Sequence, residues 1–144
     1  MSGALTNVDD PAALRALYLE IAAILRGEGY EPHVPHTSAT DPVGHPDASA
    51  VDVYTTDARA VADSDLLVAY LGVPSLGVGG ELVLAGSLAV PIIALYPRDA
   101  VVSRFALGLV RSHGGAEVLS GEPGWEDHLR DAVRASRDRL RSTT

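Results

Sequence analysis

Asp65-Leu66-Leu67-Val68-Ala69-Tyr70-Leu71 is a near-continuous apolar run, and Gly72-Val73-Pro74-Ser75-Leu76-Gly77-Val78-Gly79-Gly80-Glu81 follows it without a break. A strand with one wet face alternates apolar and polar side chains, whereas a strand covered on both faces does not. The run therefore predicts a central strand of a parallel sheet. The glycines behind it predict a turn at its carboxyl end, leading into a helix through Glu81, Leu82, Leu84, Ala85 and Leu88.

Downstream, Pro91-Ile92-Ile93-Ala94-Leu95-Tyr96 is a second buried strand. A helix near residues 100–110 and a weak strand from Ala116 to Leu119 follow. The last helix runs from Trp125 to Leu140, with Trp125, Leu129, Ala132, Val133, Ser136 and Leu140 as its inner stripe. Arg134, Arg137, Arg139 and Arg141 are placed to complement its C-terminal dipole. Upstream, Asp10-Pro11 reads as an N-cap and first helical position, and Leu14, Leu17, Tyr18, Ile21, Ile24 and Leu25 recur at helical spacing until Gly27 and Gly29. Tyr30 to Pro35 reads as a short strand, residues 36–50 as a long loop, and Val51 to Ala62 as a helix. Strands alternating with helices imply a parallel sheet covered on both faces. The first strand has only Met1 to Leu5 available and is expected to be short or truncated.

The chain has 144 residues, the length of one ordinary domain, and 47% hydrophobic against 21% charged residues fits a packed core rather than a disordered chain. No cysteine is present, which excludes disulfides, thiolate metal ligands and a cysteine nucleophile. All 11 basic residues are arginine, which removes Schiff-base chemistry and a phosphate-loop lysine. With 19 acids the net charge is −8, which disfavours a nucleic-acid polymer as partner but leaves room for a small phosphorylated ligand. No segment approaches the roughly 20 apolar residues of a membrane span, and the opening Met1-Ser2-Gly3-Ala4 has no signal-peptide character. A cytoplasmic protein is expected.

In open α/β sheets ligands bind beyond the carboxyl ends of the strands. Residues 72–81 occupy such an end; their glycines let a ligand approach the backbone, and the helix start favours an anion to which Ser75 can donate. Gly77 and Gly79 lack the third glycine of a dinucleotide fingerprint. By spacing alone Glu81 is either a functional carboxylate or an acid in the first helical turn, worth about 0.3–1 kcal/mol against the dipole.

Three stretches taken together resemble the nucleoside 2-deoxyribosyltransferase superfamily: Val53-Tyr54-Thr55-Thr56-Asp57, Ala62-Asp63-Ser64-Asp65-Leu66-Leu67-Val68-Ala69, and Pro74 through Leu82. The last is most similar to the 2′-deoxynucleoside 5′-phosphate N-hydrolases within it. Ser2-Gly3-Ala4-Leu5, Pro91 to Tyr96 and Val102-Ser103-Arg104 fall in family order, so the resemblance covers roughly residues 2–110. It implies that Glu81 is the nucleophile that attacks the anomeric carbon. It implies that Asp57 is the acid that holds the sugar or assists the leaving base. It also implies Ser75 as a 5′-phosphate ligand, Gly3 as the glycine of the first-strand loop, and Ser103 as a serine reaching the phosphate from the neighbouring subunit of a homodimer. This sequence departs from the family in two places. The tyrosine often found in the first strand would precede Met1, and Ala4 and Thr6-Asn7 stand where the hydrolases carry Ser and then Arg.

The chemistry is coherent on its own terms, because cleaving an N-glycosidic bond builds oxocarbenium-like charge that one carboxylate can trap while a second moves the proton. For Asp57 the competing reading is a solvated helical acid. Arg104 is either an exposed charge or the best phosphate partner in so acidic a chain. His33, His36 and His45, with Asp41 and Asp47, match no metal-ligand spacing, and no metal or other cofactor is expected. The 36–50 loop either closes over the ligand, with His36 or Asp41 near the base, or is simply solvated. The expectation is a single α/β domain over 1–144, a Rossmann-like or flavodoxin-like three-layer sandwich with about five parallel strands. It would cleave a 2′-deoxynucleoside or its 5′-monophosphate by hydrolysis or base transfer. Catalysis would rest on Glu81 and Asp57, and binding on Gly3, His36, Ser75, Gly77, Gly79, Ser103 and Arg104. The alternative is a nucleotide-binding module without turnover.

Overall fold

The computed structural model describes residues 1–39 and 41–142; Thr40, inside the expected 36–50 loop, and Thr143 and Thr144 lie outside the described residues. Helix α1 covers Pro11–Gly27 and starts where Asp10 accepts a hydrogen bond from the Ala13 amide at 3.0 Å. It buries Leu14, Tyr18, Ile21, Ala22, Ile24 and Leu25. Gly29, at φ +86°, turns the chain out of the helix, a conformation that costs glycine little. Helix α2 (Ala50–Ala62) opens with a capping box in which Ser49 and Asp52 each hold the other's backbone. Then follow β1 (Leu67–Tyr70), α3 (Leu76–Ser87), β2 (Ile92–Pro97), α4 (Arg104–Ser112), β3 (Ala116–Ser120) and α5 (Trp125–Ser142).

The three strands form an open parallel sheet in the order β1-β2-β3, with Val68 opposite Ile93 and Leu95 opposite Val118. Alternation divides their side chains between two cores. Val68, Tyr70, Ile93, Leu95 and Val118 pack with Tyr18, Ile21, Leu129 and Val133 of α1 and α5. Leu67, Ala69, Ile92 and Ala94 pack with Val78, Leu82, Ala85 and Val110 of α3 and α4. The inner stripe of α5 ends at Ser136, since Leu140 is 40% exposed. Three of its four C-terminal arginines do more than offset a dipole: Arg134 and Arg137 grip Glu28 at the end of α1, and Arg139 donates to the Gly114 carbonyl at 2.8 Å.

Among the described residues three strands form where about five were expected. The first segment reaches β1 through one parallel bridge, Ser2 to Ala69, and then leaves the edge as the Tyr18 hydroxyl takes the Ala4 carbonyl at 2.9 Å. Residues 30–34 build no ladder beside it. Pro32 and Pro35 lack an amide to donate, and Pro35–Thr37 closes into a 3-10 turn. The expected glycine-rich loop is also shorter than its composition implies. Ser75 caps α3, so Gly77, Gly79 and Gly80 are helical and Glu81 is the sixth residue of the helix. No helix among the described residues is long and apolar enough to cross a membrane.

Candidate active site

The placement of Glu81 in the second turn of α3 weakens the reading of it as a dipole-balancing acid, since that effect fades beyond the first turn. Its side chain instead enters a cleft of about 250 Å³ enclosed by the first segment, the 30–38 stretch, α2 and the start of α3. Gly3, His33, Asp57, Ser75, Gly77 and Glu81 all line this cleft. Asp57 arrives from α2 and Glu81 from α3, two helices on the same face of the sheet, so residues 24 positions apart share one cavity. Burial pushes the Glu81 carboxyl above the usual carboxylate range; a hydrogen bond from Ser2 opposes this, and the Asp57 charge adds to it. Burial likewise depresses His33, with Asp57 acting in the opposite direction.

Ser2 donates its hydroxyl to Glu81 Oε2. The register explains the contact. Ser2 pairs with Ala69, whose side chain faces α3, and a residue beside it on the same face points the same way. Gly3 then faces the other core, where a Cβ would stand 2.3 Å from the Tyr18 hydroxyl oxygen, so this close approach admits no side chain. Ser75 accepts from the Val78 amide at 3.4 Å, which leaves its own O–H to donate.

The remaining expected ligands lie elsewhere. Gly79 and Ser103 line a second, larger groove of about 930 Å³ between α3 and the start of α4, which also touches Ser75 and Gly77. Ser103 is the N-cap of α4, and Arg104 is exposed and lines neither cavity. The 3-10 turn rotates His36 onto the Tyr18 ring, with centroids 6.1 Å apart, and leaves Pro35 and Ser38 on the cleft wall. Asp41 is buried as a pin for its own loop, accepting from the Gly44 amide at 2.8 Å beside Arg15 at 3.7 Å. Among the described residues no three His, Asp or Glu side chains converge on a metal-sized site. His33, weighed in the sequence only as a metal ligand, lines the cleft, and Ser2, which the sequence did not assign a role, bonds Glu81 from beside it. The signal for Ser2 was the two-residue alternation that places it one step from Gly3, on the opposite face.

No family model matches the chain. Three curated proteins do, each bearing the name "Putative 2'-deoxynucleoside 5'-phosphate N-hydrolase 1". The protein from Syntrophotalea carbinolica is 37% identical over 84 residues, 57% of this chain and 58% of its own length. That from Methanosarcina barkeri is 40% identical over 57 residues, 40% of this chain and 36% of its own length. That from Methanococcoides burtonii is 28% identical over 92 residues, 63% of this chain and 75% of its own length. The chain is similar in sequence to these three proteins. The match spans less than two thirds of the first two relatives. Among solved structures, a conserved protein from Enterococcus faecalis V583 superimposes with a TM-score of 0.63 at 19% identity, over 93% of this chain and 95% of that one, a likeness of fold.

Proposed function

We propose that the chain cleaves the N-glycosidic bond of a 2′-deoxynucleoside 5′-monophosphate or 2′-deoxynucleoside, with Glu81 as nucleophile and Asp57 as the assisting acid. The observation that carries this reading is the meeting of both carboxyl groups in one small, partly desolvated cleft. Glu81 attacks the anomeric carbon as the bond to the base breaks, giving a glycosyl ester. Asp57 either holds the sugar or delivers the proton that the departing base nitrogen needs. Water then releases the sugar, or a second base accepts it. The names of the relatives favour hydrolysis of the 5′-phosphorylated form. For that form, Ser75 with the amide end of α3 at Gly77 is the anion subsite.

A homodimer or higher oligomer belongs to the same reading. Leu76, Val83, Val101 and Phe105 expose apolar surface around the second groove, and a contact there would bring Ser103 of a second copy towards the start of α3. The rival reading, a nucleotide-binding module without turnover, keeps the pocket but not the reaction. Incubation with a panel of deoxynucleosides and their monophosphates, with and without an acceptor base, distinguishes the two. Released base or sugar is expected. Ligand binding without release supports the rival and overturns the enzyme.

A further inference from the structure

We infer that Ser2 is a positioning residue for Glu81, tying Oε2 through its hydroxyl and so assigning attack on the sugar to Oε1. The inference rests on the reading of Glu81 as nucleophile. Ser2 is 1% exposed, and a hydroxyl so deeply buried needs a partner inside the protein; its partner is Glu81.

Both ends of this bond are held by regular structure. The Ser2 amide donates to the Val68 carbonyl at 2.8 Å, and the Ser2 carbonyl accepts from the Tyr70 amide at 2.9 Å. The edge of β1 thus fixes the direction of the Ser2 side chain. Glu81 is fixed by α3, whose neighbouring Leu82 is buried against the sheet. A free carboxylate in a cleft can rotate and present either oxygen. One donor from a fixed direction removes that freedom, and attack requires a near-attack geometry.

The same bond favours the charged form of a carboxylate that burial and Asp57 both disfavour. The titratable groups around Glu81 are Asp57 on α2, His33 in the 30–34 stretch and the amine of Met1. Only an ionised Glu81 can attack. Loss of the Ser2 hydroxyl therefore raises the pH at which the carboxylate becomes available.

The test is the pH profile of base release by Ser2→Ala, Ser2→Cys and Ser2→Thr. Ser2→Ala is expected to lower kcat about tenfold with KM within about twofold, and to move the acid limb to higher pH. Ser2→Cys, close in size but a weak donor, is expected to move both in the same direction. Ser2→Thr, which keeps the hydroxyl, is expected to restore them. An unmoved acid limb and unchanged kcat in Ser2→Ala or Ser2→Cys overturn the proposal. In the unsubstituted protein, the Ser2 Cβ resonance is expected to titrate together with the Glu81 carboxyl carbon. A flat Ser2 resonance overturns the proposal even if neither variant folds. Full turnover by Glu81→Gln would instead refute the nucleophile assignment, whatever Ser2 does.

Discussion

The two cavities on either side of the α3 start share Ser75, Gly77 and Val78, yet their walls differ in chemistry. The cleft of about 250 Å³ holds Asp57, Glu81 and His33. Among the described residues, the groove of about 930 Å³ has no acidic side chain on its wall, and it is edged by Leu76, Val101 and Phe105, which are 98%, 93% and 74% exposed. The larger cavity is therefore not the one that gathers the titratable groups. Acid–base work needs titratable groups in restricted solvent, which the smaller cavity supplies. An apolar rim of this kind is suited to covering by another surface. The lesson is that one helix start can border two unlike spaces, because its opposite flanks look in different directions.

The sharpest way to break this contrast is Glu81→Gln, expected to lower base release by about a thousandfold or more, measured by chromatography of free base. The same variant carries a stability signature. Glu81 titrates higher in the folded protein than in the unfolded chain, so its contribution is full below the unfolded carboxylate value and is lost as pH rises through the folded one. Glu81→Gln should thus raise the thermal midpoint more at pH 8 than at pH 4, a comparison for calorimetry. Equal shifts at the two pH values would contradict it. Asp57→Asn is expected to cost about a hundredfold in kcat. It should also move the acid limb to lower pH, because the Asp57 charge holds Glu81 up.

On the groove side the effects are physical rather than chemical. Phe105→Glu is expected to shift sedimentation towards the monomer while changing the stability of the fold by no more than about 0.5 kcal/mol. An unchanged sedimentation profile would remove this face from any assembly. The smallest effect belongs to Gly79→Ala and Gly80→Ala. Neither Cβ would meet an atom within 4 Å, and helical glycine costs about 0.5–1 kcal/mol relative to alanine. Each should stabilise the isolated chain by roughly that amount in denaturant titration. Weaker assembly at the same time would show that a partner approaches this helix face closely.

Much of this layout was legible because it depends on local patterns. The unbroken apolar runs at 65–71 and 91–96 could only be covered strands, and Asp10-Pro11 is the N-terminus of α1. The glycine-rich stretch misled for a physical reason: glycine lowers helix propensity, but the Ser75 cap and the burial of Val78 and Leu82 prevail over it. Pro32 and Pro35, which lack an amide to donate to a ladder, are the sequence signal against a strand over 30–35. Of the residues that line the cleft, Glu81, Asp57 and Gly3 were legible as candidates. Ser2 was not, because its role depends on pairing with a strand 67 positions away. His36 and His33 differ by one short turn, and composition does not reveal which of the two faces the cleft.

The single bridge at Ser2 also gives the molecule a clock of its own. Adjacent amides at the carboxyl end of β1 are hydrogen-bonded in opposite directions: Tyr70, its last residue, to Ser2, and Leu71, just beyond it, to Leu95. Deuterium uptake at Tyr70 reports how often the first segment lifts off the sheet, while uptake at Leu71 reports opening of the ladder itself. The ratio of the two rates measures how long the wall beside the carboxylate stays in place, on a scale set by two neighbouring residues.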